Sequence, residues 1–146
     1  YQRYDRKPKD LTKVVQTRSD RKLKYAARET DGAWSIVQTV ADPINAAAGE
    51  YQFLSLALDS ANRPAVAYFN GWNGDLMFAQ HSSVTSAFEV STLESTGSTG
   101  LYPSLAFSRN DGAVITYYNR SKGDLKMASA ASAEPSTQRS IIDISR

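Results

Sequence analysis

Cysteine is absent from the 146 residues, and histidine occurs only once, at His81. The first absence excludes disulfide frameworks, cysteine zinc sites and thiol catalysis. The second excludes any site that needs two or more imidazoles from this chain. No apolar run approaches the roughly 18 residues that a membrane-spanning helix needs, so we expect no membrane span. We expect no cofactor and no metal either, because no segment matches an EF-hand loop.

Charge is distributed unevenly along the chain, whose formal net charge is +2. Residues 1–30 carry ten Lys or Arg against four Asp or Glu, and residues 31–146 carry seven against eleven. Such asymmetry is found in proteins that bind polyanions. The basic residues are, however, spread over predicted strands and turns, and no nucleic-acid motif is present. The pattern therefore argues against a nucleic-acid partner.

The main feature of the sequence is an internal repeat. Residues 53–79 align with residues 102–128 without a gap at an offset of 49, and nine of the 27 positions are identical. Residues 22–26 align with residues 75–79 at an offset of 53, which indicates a third, more divergent copy. We therefore predict one domain made of three units, at about 1–41, 49–94 and 100–145.

Each unit consists of short strand-like runs separated by turns rich in Gly, Asn, Asp and Pro. In the second unit the runs are FLSLAL, AVAYFN, DLMFAQ and FEVSTL, and in the third they are SLAF, AVITYY, DLKMAS and SIIDIS. No window of 11 or more residues has a convincing helical period. Four antiparallel strands every 45–50 residues are typical of a β-propeller blade. The predicted fold is therefore all-β, with three four-stranded blades forming a partial ring. A β-sandwich is the main alternative, but it does not predict a gap-free repeat.

The motifs of these units resemble those of bacterial β-propeller repeat proteins, which are loosely similar in architecture to the sialidase and BNR-repeat propellers. The family pattern is W-x-I-x-x-V, then Y-x-S-L-A-L-D-S, then G-D-L-x-[YFM]-A, and residues 34–40, 51–79 and 102–128 resemble it without matching every spacing. The resemblance implies a secreted or cell-surface protein. The sialidase Asp-box S-x-D-x-G-x-T-W is not present, and LALDSANR keeps only a trace of it. That departure weakens the case for glycosidase activity.

Three blades are fewer than the four to eight of closed propellers. Without neighbours, the end blades would expose bulky aromatic residues, which soluble monomers rarely tolerate. We therefore expect the partners to include further blades, either from the same polypeptide or from a second copy. A chain that begins at Tyr1, without an initiator Met, fits a processed product or a fragment.

In standard propellers, the turns between the second and third strands lie on the same face as the connectors between blades. That face usually binds the ligand. Trp72 lies at the tip of one such turn, where its ring would stack on a sugar or peptide or pack against a neighbouring loop. Basic residues in the same turns suit a carboxylated or sulfated glycan, or are simply solvated. Tyr68, Tyr117, Asn70 and Asn119 recur in both units, so we interpret them as structural. The candidate ligand-binding residues are Trp72, Asn73, Arg18, Arg21, Arg120, Lys122 and Glu50.

Enzyme chemistry has little support in the sequence. No G-x-S-x-G motif occurs, and serine–histidine catalysis would depend on His81 alone. Glycoside hydrolysis needs two neighbouring carboxylates. Glu50 and Asp75 could approach each other on the ligand-binding face, but the sequence does not place them. We predict no catalytic residue and favour a non-enzymatic binding or scaffolding module that recognises a carbohydrate or a protein partner. The alternative is part of a propeller-fold glycoside hydrolase or lyase whose catalytic residues lie partly outside this chain.

Overall fold

The computed structural model describes residues 22–35, 38–41 and 51–130, together with the backbone of residues 12–16 and 140–143. These residues form eleven β-strands and no helix, which confirms the predicted all-β class. The strands are β1 (Thr12–Gln16), β2 (Leu23–Ala27), β3 (Gln38–Ala41), β4 (Tyr51–Leu58), β5 (Pro64–Asn70), β6 (Asp75–His81), β7 (Phe88–Glu94), β8 (Thr99–Phe107), β9 (Ala113–Asn119), β10 (Asp124–Ala130) and β11 (Ser140–Asp143).

The strands pair into three antiparallel sheets in which neighbours follow chain order. We call β1–β3 the first sheet, β4–β7 the second sheet and β8–β11 the third sheet. Each sheet is a meander, because consecutive strands are adjacent and antiparallel. The runs AVAYFN, DLMFAQ and FEVSTL form β5, β6 and β7, as predicted.

The 49-residue repeat is also visible in the strand register and in the backbone φ angles. A break in register between the first two strands lies between Gln52 and Ser55 in the second sheet and between Leu101 and Ser104 in the third. Left-handed φ angles recur at the same spacing, at Phe53 (53°) and Tyr102 (52°), Asn62 (60°) and Asp111 (56°), and Gly74 (79°) and Gly123 (76°). Such angles are uncommon outside glycine. The two sheets therefore share one backbone design as well as one sequence motif.

The second and third sheets pack face to face. The core between them is apolar and almost fully buried, and it includes Ala65, Ala67, Leu76 and Phe78 from the second sheet and Leu105, Ile115, Tyr117 and Ala128 from the third. Strand β8 contacts β4, β5 and β6. The third sheet thus covers one face of the second sheet along β4, β5 and β6.

The opposite face of the second sheet packs against the first sheet. That core contains Leu23, Val40 and Ala41 from the first sheet and Val66, Tyr68 and Ala79 from the second. Because both of its faces are covered, β5 is buried at every position from 64 to 69. A strand buried on both faces has a nearly continuous apolar run. The three sheets therefore lie in the order first, second, third.

Candidate functional site

The predicted Trp72 turn lies at one end of the second sheet and is held by Asn70. The Asn70 carbonyl accepts the N–H of Gly74 at 2.9 Å, and the Asn70 side-chain oxygen Oδ1 accepts the N–H of Trp72 at 3.1 Å. Asn73 donates through Nδ2 to Asp75 Oδ2 at 2.8 Å. With the backbone fixed in this way, the Trp72 side chain projects from the sheet and is 52% exposed.

The third sheet carries an equivalent turn with basic residues at its tip. The Asn119 carbonyl accepts the N–H of Gly123 at 2.9 Å, and Asn119 Oδ1 accepts the N–H of Lys122 at 3.1 Å. Arg120 and Lys122 are exposed. The recurring asparagines therefore build the turns, and the residues between Asn and Gly are presented to solvent.

A short connector joins the two turns into one surface. The N–H of Thr99 donates to the Gly74 carbonyl at 2.8 Å, and the N–H of Arg120 donates to the Ser98 carbonyl at 2.9 Å. The N–H of Ser98 donates to Ser121 Oγ at 2.8 Å. We call this surface, formed by residues 70–74, 95–98 and 119–123, the turn face. It brings the Trp72 and Asn73 tip beside the Arg120 and Lys122 tip.

Two further aromatic residues lie at this end, and the sequence reasoning did not identify them as site residues. Phe53 lies in β4 and Tyr102 lies in β8, and their ring centroids are 4.3 Å apart. The pairing of Gln52 with Phe69 places Phe53 at the same end as the 70–74 turn. Tyr102 is 64% exposed. The signal for them was an aromatic residue two positions before Ser-Leu-Ala in both repeats.

Three of the predicted ligand-binding residues, Arg18, Arg21 and Glu50, lie outside the described residues.

His81 ends β6 at the opposite end of the sheet from Trp72. Its ring packs edge-on against Phe88, with centroids 5.4 Å apart. Across the parts of the chain that the structure describes, no group of three His, Cys, Asp or Glu side chains is arranged to hold a metal ion. The same parts contain no helix with the length and apolarity to cross a membrane.

A buried ionic cluster links the second and third sheets. The Glu94 carboxylate accepts hydrogen bonds from Lys126 Nζ at 2.6 Å, Tyr117 Oη at 2.6 Å and Thr99 Oγ1 at 2.9 Å. Burial by itself would raise the pKa of Glu94, but these three hydrogen bonds and the Lys126 charge outweigh it, so the pKa lies below its usual value. All three donors belong to the third sheet, in which Thr99 is the first residue. The cluster therefore serves to join two sheets.

The Asp-box-like segment LALDSANR also has a structural role. Asp59 is buried, and its Oδ1 accepts the N–H groups of Ala61 and Arg63 at 3.0 and 2.8 Å. Its Oδ2 accepts from Arg63 Nε at 2.6 Å. The neighbouring Ser60 donates through its N–H and hydroxyl groups to Asp111 of the third sheet. These hydrogen bonds lower the pKa of Asp111. The Asp59 carboxylate therefore closes the turn between β4 and β5, and the Asp111 carboxylate joins that turn to the third sheet.

The turn face holds Trp72, Asn73, Arg120 and Lys122, which are four of the seven predicted ligand-binding residues. Together with the neighbouring Tyr102, it combines exposed aromatic rings with exposed cations on a backbone fixed by hydrogen bonds. No protein-family model matches the chain, and no curated protein matches it either.

Proposed function

We propose that the chain is a β-propeller portion that acts as a non-enzymatic binding or scaffolding module, whose turn face recognises a carbohydrate or a protein partner. The propeller architecture is supported by the stacking of the sheets. The 49-residue shift that superimposes the second unit on the third also maps Tyr68, which packs towards the first sheet, onto Tyr117, which packs towards the second. Each sheet therefore meets its predecessor with the same face, as consecutive propeller blades do.

The observation that carries the binding proposal is the exposure of aromatic rings beside cations at one end of the molecule. Trp72 is 52% exposed and Tyr102 is 64% exposed, although large aromatic rings are costly to leave in water. The aromatic rings at this end suit the apolar face of a sugar. Arg120 and Lys122 suit a carboxylate or sulfate group on the same ligand. We therefore expect acidic glycans to bind better than neutral ones, in the extracellular or cell-surface setting that the motif resemblance implies.

The test is a glycan array probed with the purified chain and with Trp72→Ala and Tyr102→Ala variants. We expect retention of a carboxylated or sulfated glycan and at least about a tenfold loss of affinity in each variant, which corresponds to about 1.4 kcal/mol. Trp34→Ala is the matched control, because Trp34 is 51% exposed and follows the far end of β2. Raising the salt concentration should weaken binding, because the charged contacts are at the surface.

Three outcomes would change the proposal. Equal retention by the wild type and both variants would place the ligand elsewhere. Capture of a protein partner that depends on Trp72, without glycan retention, would favour protein recognition. Cleavage of a retained glycan, detected by mass spectrometry, would favour the alternative of a glycan-active enzyme whose catalytic residues lie partly outside this chain.

A further inference from the structure

The third sheet has an apolar face that the described residues leave uncovered. Leu125 is 53% exposed and Tyr118 is 37% exposed. They are directly paired across β10 and β9, as are Met127 and Thr116, and residues paired in this way lie on the same side of a sheet. We call this side the outer face of the third sheet.

The repeat shows what covers the same face one unit earlier. Shifting by 49 residues maps Tyr118 onto Phe69 and Leu125 onto Leu76, which are only 8% and 0% exposed. In the second sheet this face is covered by the third sheet. We therefore expect another sheet of the same repeat to cover the outer face of the third sheet.

Polar groups at the edge of the face follow the same rule. Ser55 Oγ accepts the N–H of Leu105 from the next sheet at 2.9 Å. Ser104 takes the place of Ser55 in the third sheet and is exposed. An incoming sheet would thus find an acceptor where the second sheet already provides one.

The first sheet of another copy has the matching surface. Leu23 and Tyr25 pack towards the second sheet, so the alternate residues Lys24 and Ala26 face away from it. By the combined offsets of 53 and 49, Lys24 and Ala26 correspond to Lys126 and Ala128. Lys126 and Ala128 lie on the side of the third sheet that docks onto the second.

We propose that the outer face of the third sheet docks onto the outward face of the first sheet of a second copy, head to tail. In this junction Lys24 and Ala26 take the places that Lys126 and Ala128 hold between the third and second sheets. The inference rests on the propeller architecture of the proposed function, but not on its glycan recognition. A head-to-tail contact uses two different surfaces and closes into a ring when its rotation allows.

The test is native mass spectrometry and light scattering of the wild-type chain and two single variants across the micromolar range. Leu125→Lys alters the outer face of the third sheet, and Ala26→Arg alters the outward face of the first. We expect a closed oligomer for the wild type and at least about a tenfold weaker association for either variant. Val84→Lys is the matched control, because Val84 is 91% exposed in the loop after β6 and should leave assembly unchanged.

Mixing the two variants provides the decisive result. Each retains one intact surface, so the mixture should form one junction and give open dimers that neither variant gives alone. If Leu125→Lys abolishes association while Ala26→Arg does not, two third sheets pair with each other and the proposal is wrong. A wild-type chain that stays monomeric also overturns it. Glycan retention measured on the same samples separates a failure of assembly from a failure of recognition.

Discussion

Replacement of Lys126 by Met should be one of the most destabilising single changes at the junction between the second and third sheets. Lys126 Nζ is 2.6 Å from Glu94 Oε1, and the two side chains are only 7% and 8% exposed. Methionine keeps most of the buried stem but removes the charge. Loss of one partner from a buried ion pair costs about 3–5 kcal/mol. Since Tyr117 and Thr99 still donate to Glu94, we expect the low end, about 3 kcal/mol.

The neighbouring junction suggests how to recover that loss. Between the first and second sheets, Met77 occupies the position of Lys126, and Ala41 occupies the position of Glu94. An uncharged pair is therefore compatible with this architecture. Glu94→Gln combined with Lys126→Met keeps an acceptor for Tyr117 and Thr99 and leaves no buried charge. We expect the double variant to lie within about 1–1.5 kcal/mol of the wild type.

The effect should depend on pH in a defined direction. In the wild type the pKa of Glu94 is lowered, so its contribution to stability is present at neutral pH and is lost as the pH falls through that lowered pKa. In Lys126→Met, burial is less opposed and should raise the pKa of Glu94. The stability gap between variant and wild type should therefore be largest near neutral pH and should narrow on acidification.

Urea unfolding followed by circular dichroism measures these differences, provided that the denaturant slopes agree. Lys122→Met is the control, because Lys122 is exposed and its replacement should change stability by less than about 0.5 kcal/mol. A loss below about 1 kcal/mol for Lys126→Met would refute the reasoning, since a buried pair should lose more. So would a loss that is the same at every pH, or a double variant no more stable than the single one.

Two further predictions concern a glycine pair and an exposed carboxylate. Gly100→Ala should lower the free energy of unfolding in urea by about 3–5 kcal/mol, because φ is +91° and the new Cβ would lie 2.6 Å from Leu76 Cα. Gly123→Ala is the control and should cost only about 1–2 kcal/mol, because its φ is +76° but no atom lies within 4 Å of the new Cβ. Equal costs would contradict the role of the close approach. Ser60→Ala should raise the pKa of Asp111 towards its usual value in an NMR titration, because the Ser60 hydroxyl bond is the main cause of its lowering; an unchanged pKa would contradict that assignment.

The strands that the sequence predicted most directly are those whose signals are local. In β5 and β6, apolar runs are bounded by Asn70 and Gly74, and these residues close the turn as their chemistry requires. The 49-residue repeat then extends the interpretation to β9 and β10. Local patterning and turn chemistry therefore carried the strand assignments and the position of Trp72 at a turn tip.

The features that escaped prediction depend on distant parts of the chain. Phe53 and Tyr102 adopt left-handed angles without being glycine. Their recurrence before Ser-Leu-Ala is visible in the sequence, but their mutual packing and the register break beside them are not. Glu94 and Lys126 are 32 residues apart in different sheets. The repeat gives no sign of their pairing, because the equivalent position in the preceding sheet holds Met77. Interactions made once, between sheets, leave no periodic trace in a sequence.

In each of the two turns, the residues that fix the backbone are separate from the residues that face solvent. Asn70 and Gly74 in one sheet, and Asn119 and Gly123 in the next, fix the frame, while three residues between them are presented outwards. The intervening tripeptides, Gly-Trp-Asn and Arg-Ser-Lys, are equal in length and share no residue. Under the proposed binding role, a change of tripeptide would therefore alter the surface offered to a ligand while the frame is kept. Two positions are less free to change, because the Ser121 hydroxyl anchors the connector and the Asn73 side chain donates to Asp75.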